Sequence, residues 1–118
     1  MTELSTGLLN VAERALDVAA ARQRTIANNM ANVDTPGFRT RDIDFASEVQ
    51  QALDRQVGNG RFALRSRTVP GLVERPDGNN VNVERESLLM AHTQLQFNTA
   101  IQVVRSEFKR LELAIREQ

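Results

Sequence analysis

The chain has 118 residues, enough for one domain with a modest core. Its 15 basic and 15 acidic side chains cancel and are interspersed, which excludes the broad basic face that nucleic acid requires. The absence of cysteine excludes disulfides, thiol nucleophiles and thiolate metal sites, and five Phe with no Trp or Tyr leave little of the aromatic material that lines enzyme pockets.

Near the start, Leu9, Ala12, Leu16, Ala19, Gln23, Ile26, Met30 and Val33 follow one another at steps of three and four. That spacing keeps one helix face apolar. It predicts a helix from about Thr2 or Ser5 to about Val33, capped by Ser5 or Thr6, with Gly7 a weak point in the first turn. The segment lacks a basic leader, and Glu13, Arg14 and Asp17 interrupt its apolar residues. A secretory signal and a membrane span are therefore not expected. A second stripe, Leu4, Leu8, Val11, Ala15 and Val18, lies beside the first. Two covers for it are open at this point: a third helix of the same chain around residues 45–57, or neighbouring subunits.

Asn28, Asn29 and Asn32 fall in the last turns. They are tolerable there as residues that bond loose carbonyls, or they fix register against an adjacent helix. Asp34-Thr35-Pro36-Gly37 then stops the helix, because the residue before a proline is driven out of helical geometry and Pro-Gly suits a type II turn.

From Phe38 to about Val81 the chain is irregular. Arg39 to Asp44 reads as an extended arm. Phe45, Val49, Leu53 and Val57 recur every four residues, predicting a short helix ended by Gly58-Asn59-Gly60. Phe62 and Leu64 alternate with small or charged residues, so residues 61–69 are read as a strand. Pro70-Gly71 and Pro76 to Asn80 are turns.

The closing helix is predicted from about Asn82 to Arg116, with Asn82 as N-cap, Glu84 and Glu86 suiting the helix dipole, and Glu112 paired with Arg116. Met90, Gln94, Phe97, Ile101, Val104, Phe108, Leu111 and Ile115 form its stripe. The expected fold is mainly α. Long terminal helices, about 5–33 and 82–116, pack as an antiparallel coiled-coil-like hairpin, and a connector over 34–81 carries one short helix and room for a small β hairpin. The whole chain, 1–118, is read as a single unit.

No constellation for chemistry emerges. His92 stands alone with no second ligand one turn away. Asp42 and Asp44 are read as solvated or Arg-paired carboxylates, with Arg39 and Arg41 at hand. Asp77-Gly78-Asn79-Asn80 is a turn without phosphate-loop spacing, and Arg61, Arg65 and Arg67 form a solvated face or an acidic-partner contact. Catalytic residues, cofactors and metals are not expected.

The run from Ala27 to Phe38, Ala-Asn-Asn-Met-Ala-Asn-Val-Asp-Thr-Pro-Gly-Phe, resembles the signature that closes the first helix of bacterial flagellar axial proteins, the rod and hook family. The match is unbroken. Arg41-Asp42-Ile43-Asp44-Phe45, Asp77-Gly78-Asn79-Asn80-Val81 and the short chain are most similar to the small proximal rod members. The resemblance implies a non-enzymatic structural part of the basal body that crosses the periplasm and carries motor torque. It implies other copies and other rod and basal-body proteins as partners. It also implies exit, unfolded, through the flagellar type III export apparatus. Assembly is expected to rest on Leu9, Leu16, Ile26, Asn28, Asn29, Met30, Asn32, Phe97, Ile101, Val104, Phe108 and Leu111. Phe45 and Val49 match the family's short export-gate motif, a Phe followed four residues later by an apolar residue. They also read simply as two core residues of an amphipathic helix. The rival function is a soluble helical adaptor or export chaperone of a type III secretion system.

Overall fold

The computed structural model describes residues 2–55 and 64–117. Helix α1 spans Thr2–Ala31 and helix α3 spans Val83–Arg116. Between them lie β1 (Arg41–Ile43), α2 (Phe45–Arg55) and β2 (Ser66–Thr68). The strands pair antiparallel, Arg41 opposite Thr68 and Ile43 opposite Ser66. The architecture is the mainly helical one expected, with long terminal helices, one short helix and a two-stranded sheet. Helix α1 begins at Thr2, so Ser5 and Thr6 sit inside it and not at its start. Val57, Gly58-Asn59-Gly60, Arg61 and Phe62 lie outside the described residues.

The terminal helices run antiparallel. Gln23 donates its side-chain amide to Gln94 at 2.8 Å, and six residues later on α1 Asn29 reaches back to Glu86 at 3.1 Å. The particle is elongated, 67 × 25 × 17 Å. At 1.5 Å per residue the 34 residues of α3 account for about 51 Å of that length.

Helix α1 stops for the reason its sequence states. The amide of Phe38 donates to the carbonyl of Thr35 at 3.2 Å, and Gly37, third in that turn, has φ 76°. Proline second and a left-handed glycine third make a type II turn. Helix α3 starts on Asn82, whose side chain accepts the Arg85 amide at 3.1 Å. Glu112 and Arg116 pair at 3.0 Å in its last turns.

The first stripe of α1 faces α3: Ala12, Ala19 and Ile26 are buried, and Leu9, Leu16, Gln23, Met30 and Val33 are partly buried. Of the two covers open for the second stripe, the chain supplies its own. Val18 and Ala21 pack with Ile43, with Phe45 of α2 and Leu64 against them. Arg14 on α1 pairs with the buried Glu48 of α2 at 3.0 Å. At the free end Leu8 stays exposed. Neighbouring subunits are therefore not needed to cover Ala15 and Val18.

Helix α3 is turned relative to the seam expected of it. Its buried residues are Glu86, Thr93, Ala100 and Glu107, a strict heptad. Met90, Phe97, Ile101, Val104 and Leu111 flank that line and are partly buried, whereas Phe108 is 60% exposed and Ile115 72%. The facing surface of α1 explains the rotation. It is built largely of alanine (Ala12, Ala15, Ala19), and small residues face to face let helix axes approach more closely than a Phe between them would. Periodicity located the apolar stripe but could not weigh side-chain size across the contact.

Candidate functional site

Two features stand out: a polar joint at one end of the hairpin and an exposed apolar surface along the terminal helices.

The joint is made by the asparagines of the Ala27–Phe38 run and by residues the sequence marked only as a turn. Asn29 is fully buried. Its Nδ2 donates to the carbonyl of Arg41 at 2.7 Å and to Oε2 of Glu86 at 3.1 Å, and its Oδ1 accepts the Arg41 amide at 3.1 Å. One amide side chain thus satisfies an edge of β1 and a buried carboxylate on α3. The other oxygen of Glu86 accepts from Arg85 at 2.8 Å. Arg22 grips Asp42 with two bonds, at 3.0 and 3.1 Å, and Arg85 stands 3.9 Å from the same carboxylate. Alternating charges of this kind let ionised groups stay buried, since each has an opposite partner and directed hydrogen bonds.

Asn79 is also fully buried and closes the C-terminus of α1. Its Nδ2 donates to the carbonyls of Asn32 and Thr35, both at 2.8 Å, while its Oδ1 accepts the Val81 amide at 2.8 Å. The last carbonyls of a helix lack internal partners, and here a side chain from a distant turn supplies them. Arg75 adds hydrogen bonds to the carbonyls of Val33 and Val81. Asn80 accepts the Thr40 amide at 2.7 Å and its carbonyl accepts the Thr40 hydroxyl at 3.3 Å. The two turns touch: the Gly37 amide donates to Asp77 at 2.9 Å, and a Cβ on Gly78 would stand 3.3 Å from the Cα of Gly37. Gly78 also has φ 86°, so both its backbone and its surroundings call for glycine.

The joint redistributes the expected site residues. Asn29 faces inward and is spent within the chain, so its burial leaves it no surface to offer a neighbour. Asn32 is partly buried and bonds Asn28 and Thr35, and Asn28 is exposed. Of the apolar set, Ile26 is buried; Leu9, Leu16, Met30, Phe97, Ile101, Val104 and Leu111 are partly buried; Phe108 is open. Phe45 begins α2 and packs beside Val18 and Ala21, with Val49 partly buried one turn on. The sequence pointed to the asparagines but missed their partners. By sequence Glu86 reads as a dipole residue and Asn79 as a turn former. A buried role for Glu86 shows only once a heptad is laid over α3.

Residues considered for chemistry have structural roles or none. Asp42 pairs with Arg22 and not with Arg39 or Arg41. Asp44 caps α2 by accepting the Ser47 amide at 3.2 Å and pairs with Arg67 at 3.0 Å on the surface. Arg39 pairs with Glu74, and His92 is exposed. Among the described residues no group of three or more His, Asp or Glu could hold a metal, and no helix is long and apolar enough to cross a membrane.

The exposed apolar surface follows the terminal helices for the most part: Leu8 on α1, and Val83, Leu88, Leu95, Phe108, Leu113 and Ile115 on α3, with Leu53 on α2 and Val73 in the connector outside it. An open apolar groove of about 350 Å³, bordered by Leu8, Val11, Phe45, Leu95 and Val103, runs between the helices at the end away from the joint. Beyond the joint, from the middle of α3 onward to its end, the seam is imperfect. Oγ1 of Thr93, Oε1 of Gln96 and Oε2 of Glu107 are buried and have no partner among the described residues. Each such atom costs about 1–3 kcal/mol. One end of the hairpin is therefore locked and the other weakly held, with large side chains outside.

The model of the family described as flagella basal body rod protein matches residues 9–39, which contain the first stripe, the asparagines and the type II turn. Among curated proteins the chain is similar to the flagellar basal body rod protein FlgB of Yersinia enterocolitica, 30% identical over 128 aligned positions covering 92% of this chain and 93% of that protein. It is 32% identical to the FlgB of Aeromonas hydrophila and to that of Salmonella typhimurium, in each case over 86% of this chain and 87% of the relative.

Proposed function

This chain belongs to the flagellar basal body rod proteins, and we propose that it works as a structural subunit of the proximal rod, built into the shaft by its paired terminal helices. The observation that carries this reading, beyond family membership, is the placement of its exposed apolar residues. Most of them lie along the two terminal helices, with Leu53 on α2 and Val73 in the connector as the exceptions. Apolar area of that kind is stable only when another surface covers it. A hairpin that meets its neighbours along helices of 30 and 34 residues resists torsion better than one held through loops, because the contact is long and runs with the axis.

The locked end and the loose end divide the work. Around Asn29 and Asn79 the angle between α1, the β pair and α3 is set within the chain. Toward Thr2 and Arg116 the helices are held weakly enough to take their final packing from neighbours. Burying their apolar faces supplies the ordering free energy that the isolated hairpin lacks. The chain acts as one unit, 1–118, with further copies and other rod and basal-body proteins as partners. It reaches the periplasm through the flagellar type III export apparatus, and it carries no enzymatic activity. On this reading Phe45 and Val49 serve twice: unfolded, they present the gate motif; folded, they anchor α2 on α1.

The decisive test is complementation of a strain lacking the chain. Wild type restores swimming and co-purifies with basal bodies. Ile101→Asp places a charge on the partly buried flank of α3, and it is expected to abolish both while the secreted chain remains detectable. Normal swimming on Ile101→Asp alone, or a chain that stays in the cytoplasm as a discrete complex, would refute the proposal. The second outcome would instead favour the adaptor or chaperone reading.

A further inference from the structure

The outward faces of α1 and α3 each carry an exposed pair of like charges at matching spacing, acidic on α1 and basic on α3. On α1, Glu13 and Asp17 are exposed one turn apart, on the side away from Ala12, Ala19 and Ile26. On α3, Arg105 and Lys109 are exposed one turn apart, on the side away from Ala100 and Glu107. None of the four has an ion pair or side-chain hydrogen bond among the described residues, although eight other ion pairs form. The two pairs cannot meet within one molecule, because α1 and α3 turn these faces in opposite directions.

We infer that this complementarity joins adjacent copies of the chain side by side, the outer face of α1 in one copy lying against the outer face of α3 in the next, with both copies pointing the same way. Parallel copies place α1 of one antiparallel to α3 of its neighbour, the relation those helices already have inside a subunit. Taking the register of the Gln23–Gln94 contact, a slide of about five residues, roughly 7.5 Å along the axis, brings Glu13 level with Lys109 and Asp17 level with Arg105 together. The same slide sets Leu95, 63% exposed, opposite the exposed Ala27, so a large side chain meets a small one. No like charges come level at that offset. The contact uses a different surface on each partner, so it repeats from copy to copy and closes into a ring or continues as a helix according to the rotation between copies.

This inference deepens the rod reading and rests on it, and the experiment separates the two. The chain has no native cysteine, so Asp17→Cys and Arg105→Cys in one chain provide the only thiols. Mild oxidation of motile cells is expected to yield a ladder of cross-linked oligomers. The control pairing Asp17→Cys with Glu84→Cys, far along the axis, should give none. Dimers alone, or no cross-link above control, overturn the inference. Wild-type recovery in basal bodies decides the rod reading separately. A charge swap supplies the second arm. Glu13→Lys with Asp17→Lys is expected to weaken each contact about tenfold, the scale of two surface pairs turned from attraction to repulsion. Adding Arg105→Glu and Lys109→Glu should restore motility. Because all four side chains are exposed, these variants keep the fold, as circular dichroism will verify. A quadruple variant no better than the double one refutes the pairing.

Discussion

Asn29 and Asn28 are adjacent, chemically identical and in the same sequence run, yet the structure assigns them different roles. Replacing Asn29 with Ala removes three hydrogen bonds and leaves the Arg41 amide, the Arg41 carbonyl and a Glu86 oxygen facing a buried gap. Each buried group left unpaired costs about 1–3 kcal/mol, more where it is charged. Partial relaxation and water entry reduce the total, so Asn29→Ala should cost about 3–5 kcal/mol. That is a large share of the 5–15 kcal/mol of a typical domain, or a fall in melting temperature of about 10–20 °C. Asn28 is exposed, and Asn28→Ala should cost less than about 0.5 kcal/mol. Urea and thermal unfolding of the purified variants, followed by far-ultraviolet circular dichroism, measure both. Equal stability of the two variants would refute the joint as described.

Three further outcomes follow from the same geometry. Gly78→Ala should destabilise the chain by about 1–3 kcal/mol, because φ 86° and the nearby Gly37 both oppose a side chain; denaturation midpoints check this. Gly7→Ala, in α1 with open space around it, should stabilise by about 0.5–1 kcal/mol and raise helical content. Phe45→Ala should lower secretion through the export apparatus well beyond Val18→Ala, which damages the same cluster without touching the gate motif; equal amounts of the two in the culture medium would remove the gate reading and leave the packing role.

The parts legible in the sequence were those governed by local rules. Helix period placed α1 and α3, and proline-glycine chemistry placed the turn at Thr35–Phe38, because both depend on residues close together in the chain. The rotation of α3 was hidden. Its buried line, Glu86, Thr93, Ala100 and Glu107, contains two carboxylates, and hydropathy ranks such residues as outside. The burial of Glu86 depends on Asn29, which only tertiary structure brings close, whereas Glu107 pairs with Arg110 one turn along the same helix. The inward role of Asn29 was hidden for the same reason: a polar side chain late in a helix reads alike whether it faces a neighbour or a strand of its own chain. The cover over Val18 was legible as a choice between two candidates, and the chain itself supplies it, through Ile43 of β1 with Phe45 at the start of α2 beside it.

Phe108 tests the central claim most directly, because it is large, apolar and 60% exposed on a terminal helix, so an acid there leaves the folded chain intact. The measurement is the amount of Phe108→Asp chain recovered in purified basal bodies, relative to the amount secreted. If the exposed helix faces build the shaft, secretion continues, circular dichroism is unchanged and recovery falls to background. Recovery at the wild-type level would show that those faces are not the assembly surface.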